Sequence, residues 1–424
     1  MAIALVIGNM IGSGIFFLPS SLGAYGGISI FGWLFTSTGA LLLALIFSRL
    51  SRLLPNVSGG PFVYSQAGFG DFPGFLVAWG YILSIWASNA AITVAFVSYL
   101  SVFIPALATN SMAAAMTGLA AIWFLTWLNT QTIRTAGSLQ LITTILKLVP
   151  LILISVVGIF YLNPDHFSPF NVSTESSFSA ISATAAMTLF AFLGFESATV
   201  PAEDVENPAK TIPRATIIGT VITIIVYILG TVSVMGLISP GNLQVSNAPF
   251  ADGAQVIWGS AGRYLVAGGV VISTFGALNG WTILQGQVPM APARQHLFPK
   301  IFARRNKNGS PSVSLVIGSI IVSTLMLMNF SKGMVKAFEF LILVTTTTVL
   351  IPYIFAAAAY GVFTLQRKFG IGKNIAVQLV LPVLGFAYSV WMVAGSGFEP
   401  VYWGFIMLLL GIPIYVYMKR EGDK

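Results

Sequence analysis

The sequence predicts an all-α integral membrane protein with twelve transmembrane helices, and three observations carry that prediction. Of its 424 residues, 56% are hydrophobic and only 8% are charged, whereas soluble domains carry about a quarter charged residues. Windows of about 20 apolar residues, the length at which a helix crosses a bilayer, recur along the whole chain. Two of those windows are interrupted near their middle by small residues. No stretch has the composition of a soluble domain or a low-complexity tail. The absence of cysteine excludes disulfides and thiol chemistry. The N-terminus has neither a basic leader region nor a small-residue cleavage site, so no signal peptide is expected. The first span starts almost at Met1.

Taken in order, the spans are expected over residues 2–25, 28–50, 72–104, 111–130, 137–162, 180–201, 213–238, 261–291, 312–330, 334–363, 375–396 and 399–418. Basic residues mark their ends. Arg49 and Arg52 close the second, Arg134 follows the fourth, and Lys210 and Arg214 flank the start of the seventh. Arg294, Lys300, Arg304, Arg305 and Lys307 follow the eighth. Arg367, Lys368 and Lys373 follow the tenth, and Lys419, Arg420 and Lys424 close the chain. With the N-terminus in the cytoplasm, these sixteen cations lie inside and only Arg263, Lys332 and Lys336 lie outside. That bias is the positive-inside signal. It puts both termini in the cytoplasm and gives the net charge of +8 a topological cause, so no nucleic-acid partner is expected.

The first interruption lies in GNMIGSGIFFLP, Gly8 to Pro19, where Gly12-Ser13-Gly14 falls at mid-span. Small residues there cost helix stability. A broken helix in lipid leaves backbone groups unpaired unless the break is buried in protein or lines a watery cavity. The positive end of the second half-helix would then seat a carboxylate. The competing reading is close helix crossing, for which glycines are also selected. The second interruption is Gly194 in span six, followed two residues later by Glu196. Spans one and six are corresponding members of two five-span halves, 1–162 and 180–363, with 375–424 left over. Paired breaks at equivalent positions point to an inverted repeat with a binding site at the bilayer midplane.

Two intramembrane charges stand out. Glu196 would cost at least about 2.5 kcal/mol at mid-depth, so it is read as functional, either kept neutral or paired with a cation. The alternative is a protonated carboxyl bonding the broken backbone. Lys147, in span five, could fill the place of a sodium ion or exchange protons; its alternative is snorkelling. Asn89, Trp281 and Thr345 are candidate cavity residues, although helix packing explains each one taken singly. Trp281 follows Asn279-Gly280 at mid-helix, a hint of an open surface. His166 and His296 fall outside the membrane core and are expected to be solvated. No GxSxG, HExxH, P-loop or metal-ligand cluster occurs, so neither enzyme activity, metal nor cofactor is expected.

These segments, together with SGGPFVYSQAGFG after span two, FLGFESATVPAEDVENPAKTIPRA, and WTILQGQVPMAPARQHLFPKIFARRNKNGSPS at the exit of span eight, give the chain a family resemblance. It resembles the amino acid–polyamine–organocation transporters with the leucine-transporter five-plus-five fold. Within them it is most similar to bacterial basic amino acid/polyamine antiporters of the arginine/agmatine type. The resemblance covers nearly the whole chain. It implies that Ser13 and Gly14 bind a substrate carboxylate and that the carbonyls of Met10, Phe190 and Leu193 hold the α-amino group. Trp281, Asn89, Ser84 and Thr345 would surround the distal end. Tyr81, Phe190, Phe338 and Tyr353 match gating positions, and Glu196 matches a carboxylate tied to pH response or amine binding.

The chain also departs from that group. The arginine/agmatine exchangers carry a Trp in span six where Phe190 stands here, which weakens cation–π stacking, and a Ser where Ala191 stands. Lys147 is instead similar to the span-five lysine of proton-coupled or sodium-independent neutral amino acid members. The function expected is exchange of a basic amino acid for an amine or another amino acid by alternating access. A neutral amino acid exchanger or proton-coupled symporter is the alternative, ahead of a nutrient sensor or channel and an intramembrane enzyme. The expected setting is the bacterial inner membrane. The expected partners are small amino acid or amine substrates and the lipid bilayer, with a homodimer as candidate assembly.

Overall fold

The computed structural model describes residues 2–54, 59–131, 148–199, 205–330, 332–366 and 375–422. Among the described residues every regular element is helical, and ten helices are long and apolar enough to cross a membrane. Ten such helices make this a multi-pass membrane protein. The expected spans five and six are represented by two shorter apolar helices, Leu148–Tyr161 and Ser177–Phe192. The first is short because residues 137–147 of its expected range, Lys147 included, lie outside the described residues. The second is short because the helix stops where the sequence breaks it.

In chain order the elements are α1 (Ala2–Met10), α2 (Ser13–Gly23), α3 (Ser29–Leu53), α4 (Pro61–Phe69), α5 (Asp71–Leu100) and α6 (Ser111–Gln131). They continue with α7 (Leu148–Tyr161), α8 (Ser177–Phe192), α9 (Pro208–Leu237), α10 (Pro249–Gln287), α11 (Ser312–Phe330) and α12 (Met334–Leu365). The last are α13 (Ile375–Gly395), α14 (Phe398–Leu409) and α15 (Gly411–Gly422). Their starts follow ordinary helix chemistry. The Asn110 carboxamide accepts from the N–H groups of Met112 and Ala113 at 3.0 and 3.1 Å to cap α6. Ser176 caps α8 through Ser179 N–H at 3.2 Å. Asp71 puts a carboxylate in the first turn of α5, and Pro208 and Pro249 open α9 and α10 without losing a helical N–H bond. Helix α10 leaves helical geometry at Gly259 (φ 66°). Its outer turns are therefore a separate segment, and the membrane part begins close to the expected residue 261. His166, expected to be solvated, is half-buried, and its ring nitrogen lies 2.8 Å from the Gly236 carbonyl.

The helices sort into two groups by contact. Helix α1 packs on α9, α2 packs on α8 and α9, and α3 packs on the same α8 and α9, while α5, α6, α10 and α11 pack on one another. Helix α12 runs along α5, and α13 and α14 cover it from outside. The wall between the groups is formed by α2 against α5 and α10. The helix breaks lie on that wall.

Candidate functional site

Helix α1 ends with Ile11 N–H donating to Ile7 O at 2.8 Å, and Gly12 N–H turns back to Met10 O at 2.9 Å. Gly12 leaves the helical region (φ −124°, ψ −134°), and α2 restarts at Ser13. In α8 the helix stops at Phe192, Leu193 is extended, and Gly194 takes φ +108°. Only glycine adopts that conformation without strain, and a Cβ on Gly194 would also stand 3.0 Å from the backbone of Asn9. A Cβ on Gly14 would stand 2.9 Å from Ala191 Cα. The two breaks therefore touch through glycines, and each depends on the other for its packing.

The carbonyls freed at the breaks find a partner neither break supplies. Tyr227, on α9, points its hydroxyl at Met10 O (2.5 Å) and Ala191 O (3.0 Å), so one phenol bridges both interrupted helices. Its ring packs between Trp33 and Phe192. On the opposite side, the first turn of α2 presents N–H groups with no intrahelical acceptor. The Ser13 hydroxyl there is buried and has no hydrogen-bond partner among the described residues.

Between the breaks lies a cavity of about 10 Å³. Met10, Ser13, Gly14, Phe190, Leu193 and Trp281 line it, joined by Asn9, Gly12 and Ile92. That space holds about one water, so the conformation is closed around the breaks. Trp281 is fixed by its indole N–H, which donates to Asn9 O at 3.2 Å. Asn89, Ser84 and Thr345 are outside the lining. Ser84 and Thr345 bond back to their own helices, at Tyr81 O and Leu341 O, both at 2.8 Å. The Asn89 amide donates to Gln285 Oε1 at 2.8 Å. Gln285 in turn donates to Leu315 O (3.0 Å) and Ser319 Oγ (3.1 Å), tying α5, α10 and α11 together.

Glu196 is fully buried on the far side of Gly194. Tyr81 donates to its Oε1 at 3.0 Å, Tyr353 to Oε2 at 3.1 Å, and Gly194 N–H to Oε2 at 3.2 Å. Phe47, Phe195 and Tyr353 stack around this cluster with ring centroids 5.2 to 5.8 Å apart. On the opposite side of the cavity Phe338, fully buried, packs edge-on against Phe17 (4.7 Å) and Phe190 (5.8 Å). The breaks are thus flanked by a hydrogen-bonded aromatic layer on one side and a purely apolar one on the other. Among the described residues no cluster of three or more His, Asp or Glu could hold a metal.

Tyr227, Gln285 and Ile92 belong to this site without any signal in the sequence, since an aromatic, an amide or an isoleucine in an apolar helix looks like packing. Asn9 sits inside the interrupted motif but carries no distinguishing spacing.

Residues 1–417 match the family model described as amino acid permease. Among curated proteins, the chain is 30% identical to an arginine/ornithine antiporter of Pseudomonas aeruginosa, over 99% of this chain and 90% of the relative. It is 31% identical to a cadaverine/lysine antiporter of Escherichia coli K12, over 98% and 93%. It is 29% identical to an arginine/agmatine antiporter of Chlamydia pneumoniae, over 97% and 88%.

Proposed function

The chain belongs to the amino acid permease family, and on that premise we propose that it is an antiporter exchanging a basic amino acid for an amine or another amino acid. The observation that carries the reading is the meeting of two broken helices at a buried cavity, with the unpartnered Ser13 hydroxyl and the first turn of α2 on its wall. A carboxylate fits there because backbone N–H groups and the positive helix end converge on it. Three relatives that span nearly all of the chain are named as antiporters of basic amino acids and amines.

In this reading the chain has twelve spans, with 1–162 and 180–363 as inverted five-helix repeats and 375–424 as the peripheral pair. The membrane is the bacterial inner membrane, and both termini face the cytoplasm. Met10, Phe190 and Leu193 carbonyls take the α-ammonium once Tyr227 and the break's own N–H groups release them. Asn89 serves the distal end. Because Leu315 O can only accept, Gln285 must donate to it and turn Oε1 to Asn89. That leaves Asn89 Oδ1 as the unpartnered acceptor, the polarity a cationic substrate end requires. Ser84, Thr345 and Trp281 complete that end after the aromatic side chains move. Tyr81, Tyr353 and Glu196 form one gate, and Phe338 with Phe190 the other.

A second reading, exchange or proton-coupled uptake of neutral amino acids with Lys147 in the coupling role, draws on the apolar Phe190, Leu193 and Ile92 lining. Counterflow into proteoliposomes preloaded with arginine, agmatine or alanine separates the two. Labelled arginine uptake driven by arginine and agmatine but not alanine supports the first reading, and uptake driven by alanine alone overturns it.

A further inference from the structure

A cavity larger than the one between the helix breaks lies elsewhere in the molecule. It is an open vestibule of about 440 Å³ at the end of α2 and the start of α12, walled by residues that include Ser20, Ser21, Gln244, Asn247, Lys336 and Glu339. Its size is that of a small-molecule pocket. Lys336 and Glu339 are one turn apart on α12 and so share a face, yet among the described residues neither forms an ion pair. Lys332, by contrast, is occupied by Glu399 at 3.7 Å and by the ring of Phe340 at 4.6 Å. The Ser21 hydroxyl is buried, 3% exposed, on the vestibule wall and lacks a partner among the described residues.

We propose that this vestibule is a second ligand site, an entry station that takes a zwitterionic α-amino acid in preference to its decarboxylated amine. The proposal rests on the exchange reading for its ligand class. The carboxylate of an amino acid meets Lys336 and its ammonium meets Glu339, with the Ser21 hydroxyl available to either. An amine with no carboxylate leaves Lys336 unmatched and brings extra positive charge toward Lys332 and Lys336. The station sits directly over the apolar gate. Glu339 follows Phe338 in sequence, and Phe338 packs on Phe190, which lines the cavity between the breaks. A ligand drawn onto Glu339 therefore loads the helical turn that carries the gate. The consequence is directional, since amino acids are captured from this side and amines are let go to it.

Because the chain has no cysteine, Val245→Cys, 70% exposed on the vestibule wall, gives a single thiol whose maleimide labelling rate reports occupancy. L-arginine should slow labelling several-fold and agmatine should not. Protection should persist in Ser13→Leu, which fills the cavity between the breaks, disappear in Lys336→Gln, and return in Lys336→Arg. Equal protection by both ligands, or protection lost in Ser13→Leu, overturns the station. Proteoliposome exchange measured on the same protein separates the two proposals. Exchange without protection removes the vestibule site alone, and protection without exchange removes the antiport reading alone.

Discussion

The carboxylate of Glu196 takes hydrogen bonds from Tyr81 on α5, Tyr353 on α12 and the backbone of its own helix break. Glutamine has the same shape but offers only one acceptor oxygen, so Glu196→Gln forces one tyrosine to accept from the amide N–H instead of donating, which leaves its own hydroxyl proton unmatched. Leaving one buried hydroxyl unmatched costs about 1–3 kcal/mol, which a multi-span protein survives. The expected result is a folded protein whose transport has a flattened pH profile or a raised KM for amines; an unchanged profile together with an unchanged substrate range removes Glu196 from the mechanism. Gln285 is a sharper case, because its neighbours leave it one orientation. Gln285→Leu strands the Asn89 amide without its acceptor and unties α5 from α11. A thermal melt should fall by an amount corresponding to roughly 1–3 kcal/mol, and the KM for cationic substrates should rise while that for neutral ones does not. At Ser13 the hydroxyl borders a space of about 10 Å³, so Ser13→Leu should abolish binding with little effect on the melt.

At the scale of elements, the broken pairs α1–α2 and α8 with its trailing turn depend on contacts that single helices lack. Tyr227→Phe removes the one hydroxyl shared by the Met10 and Ala191 carbonyls. It takes the hydroxyl from the Ala191 carbonyl and leaves Met10 O with only the Gly12 N–H, so the melt should drop by about 1–3 kcal/mol. A larger drop is expected for Gly194→Ala, which adds left-handed strain of about 1–2 kcal/mol to a 3.0 Å approach to Asn9. If that variant melts like the parent, the two breaks do not hold each other. The breaks were legible in the sequence because Gly12, Ser13, Gly14 and Gly194 contradict the helix preference of the apolar runs around them. The kink at Gly259 coincides with the expected start of span eight for the same reason. Tyr227 and Gln285 were not legible, because their roles depend on which helix faces which, and local spacing carries nothing about that. Ser84, Asn89 and Thr345 bond to their own helix or to a neighbour here. Their sequence positions fix the helix and the depth, while the closed conformation decides where each polar end finds its partner.

For the whole molecule, the two layers that bound the helix breaks are unequal. On the Glu196 side, a buried carboxylate, two tyrosine hydroxyls and the stacked Phe47, Phe195 and Tyr353 form a layer crosslinked by hydrogen bonds. On the vestibule side, the ring of Phe338 against Phe17 and Phe190 is held by apolar contact alone. An edge-to-face ring pair adds only about 0.5–1.5 kcal/mol beyond its buried area, whereas each buried polar group left unmatched when the Glu196 layer opens costs about 1–3 kcal/mol. The vestibule side is therefore expected to open first, toward a chamber of about 440 Å³. Phe338→Ala should expose the breaks from that side without unlocking the other. In a Ser13→Cys background, the only thiol in the chain, a membrane-impermeant reagent added on the vestibule side should label several-fold faster when Phe338 is alanine. Phe195→Ala should leave labelling from the opposite side slow, because Tyr81, Tyr353 and Glu196 remain bonded. Faster labelling from both sides in either variant would mean that the layers do not close independently, and alternating access could not then proceed by opening one while the other holds.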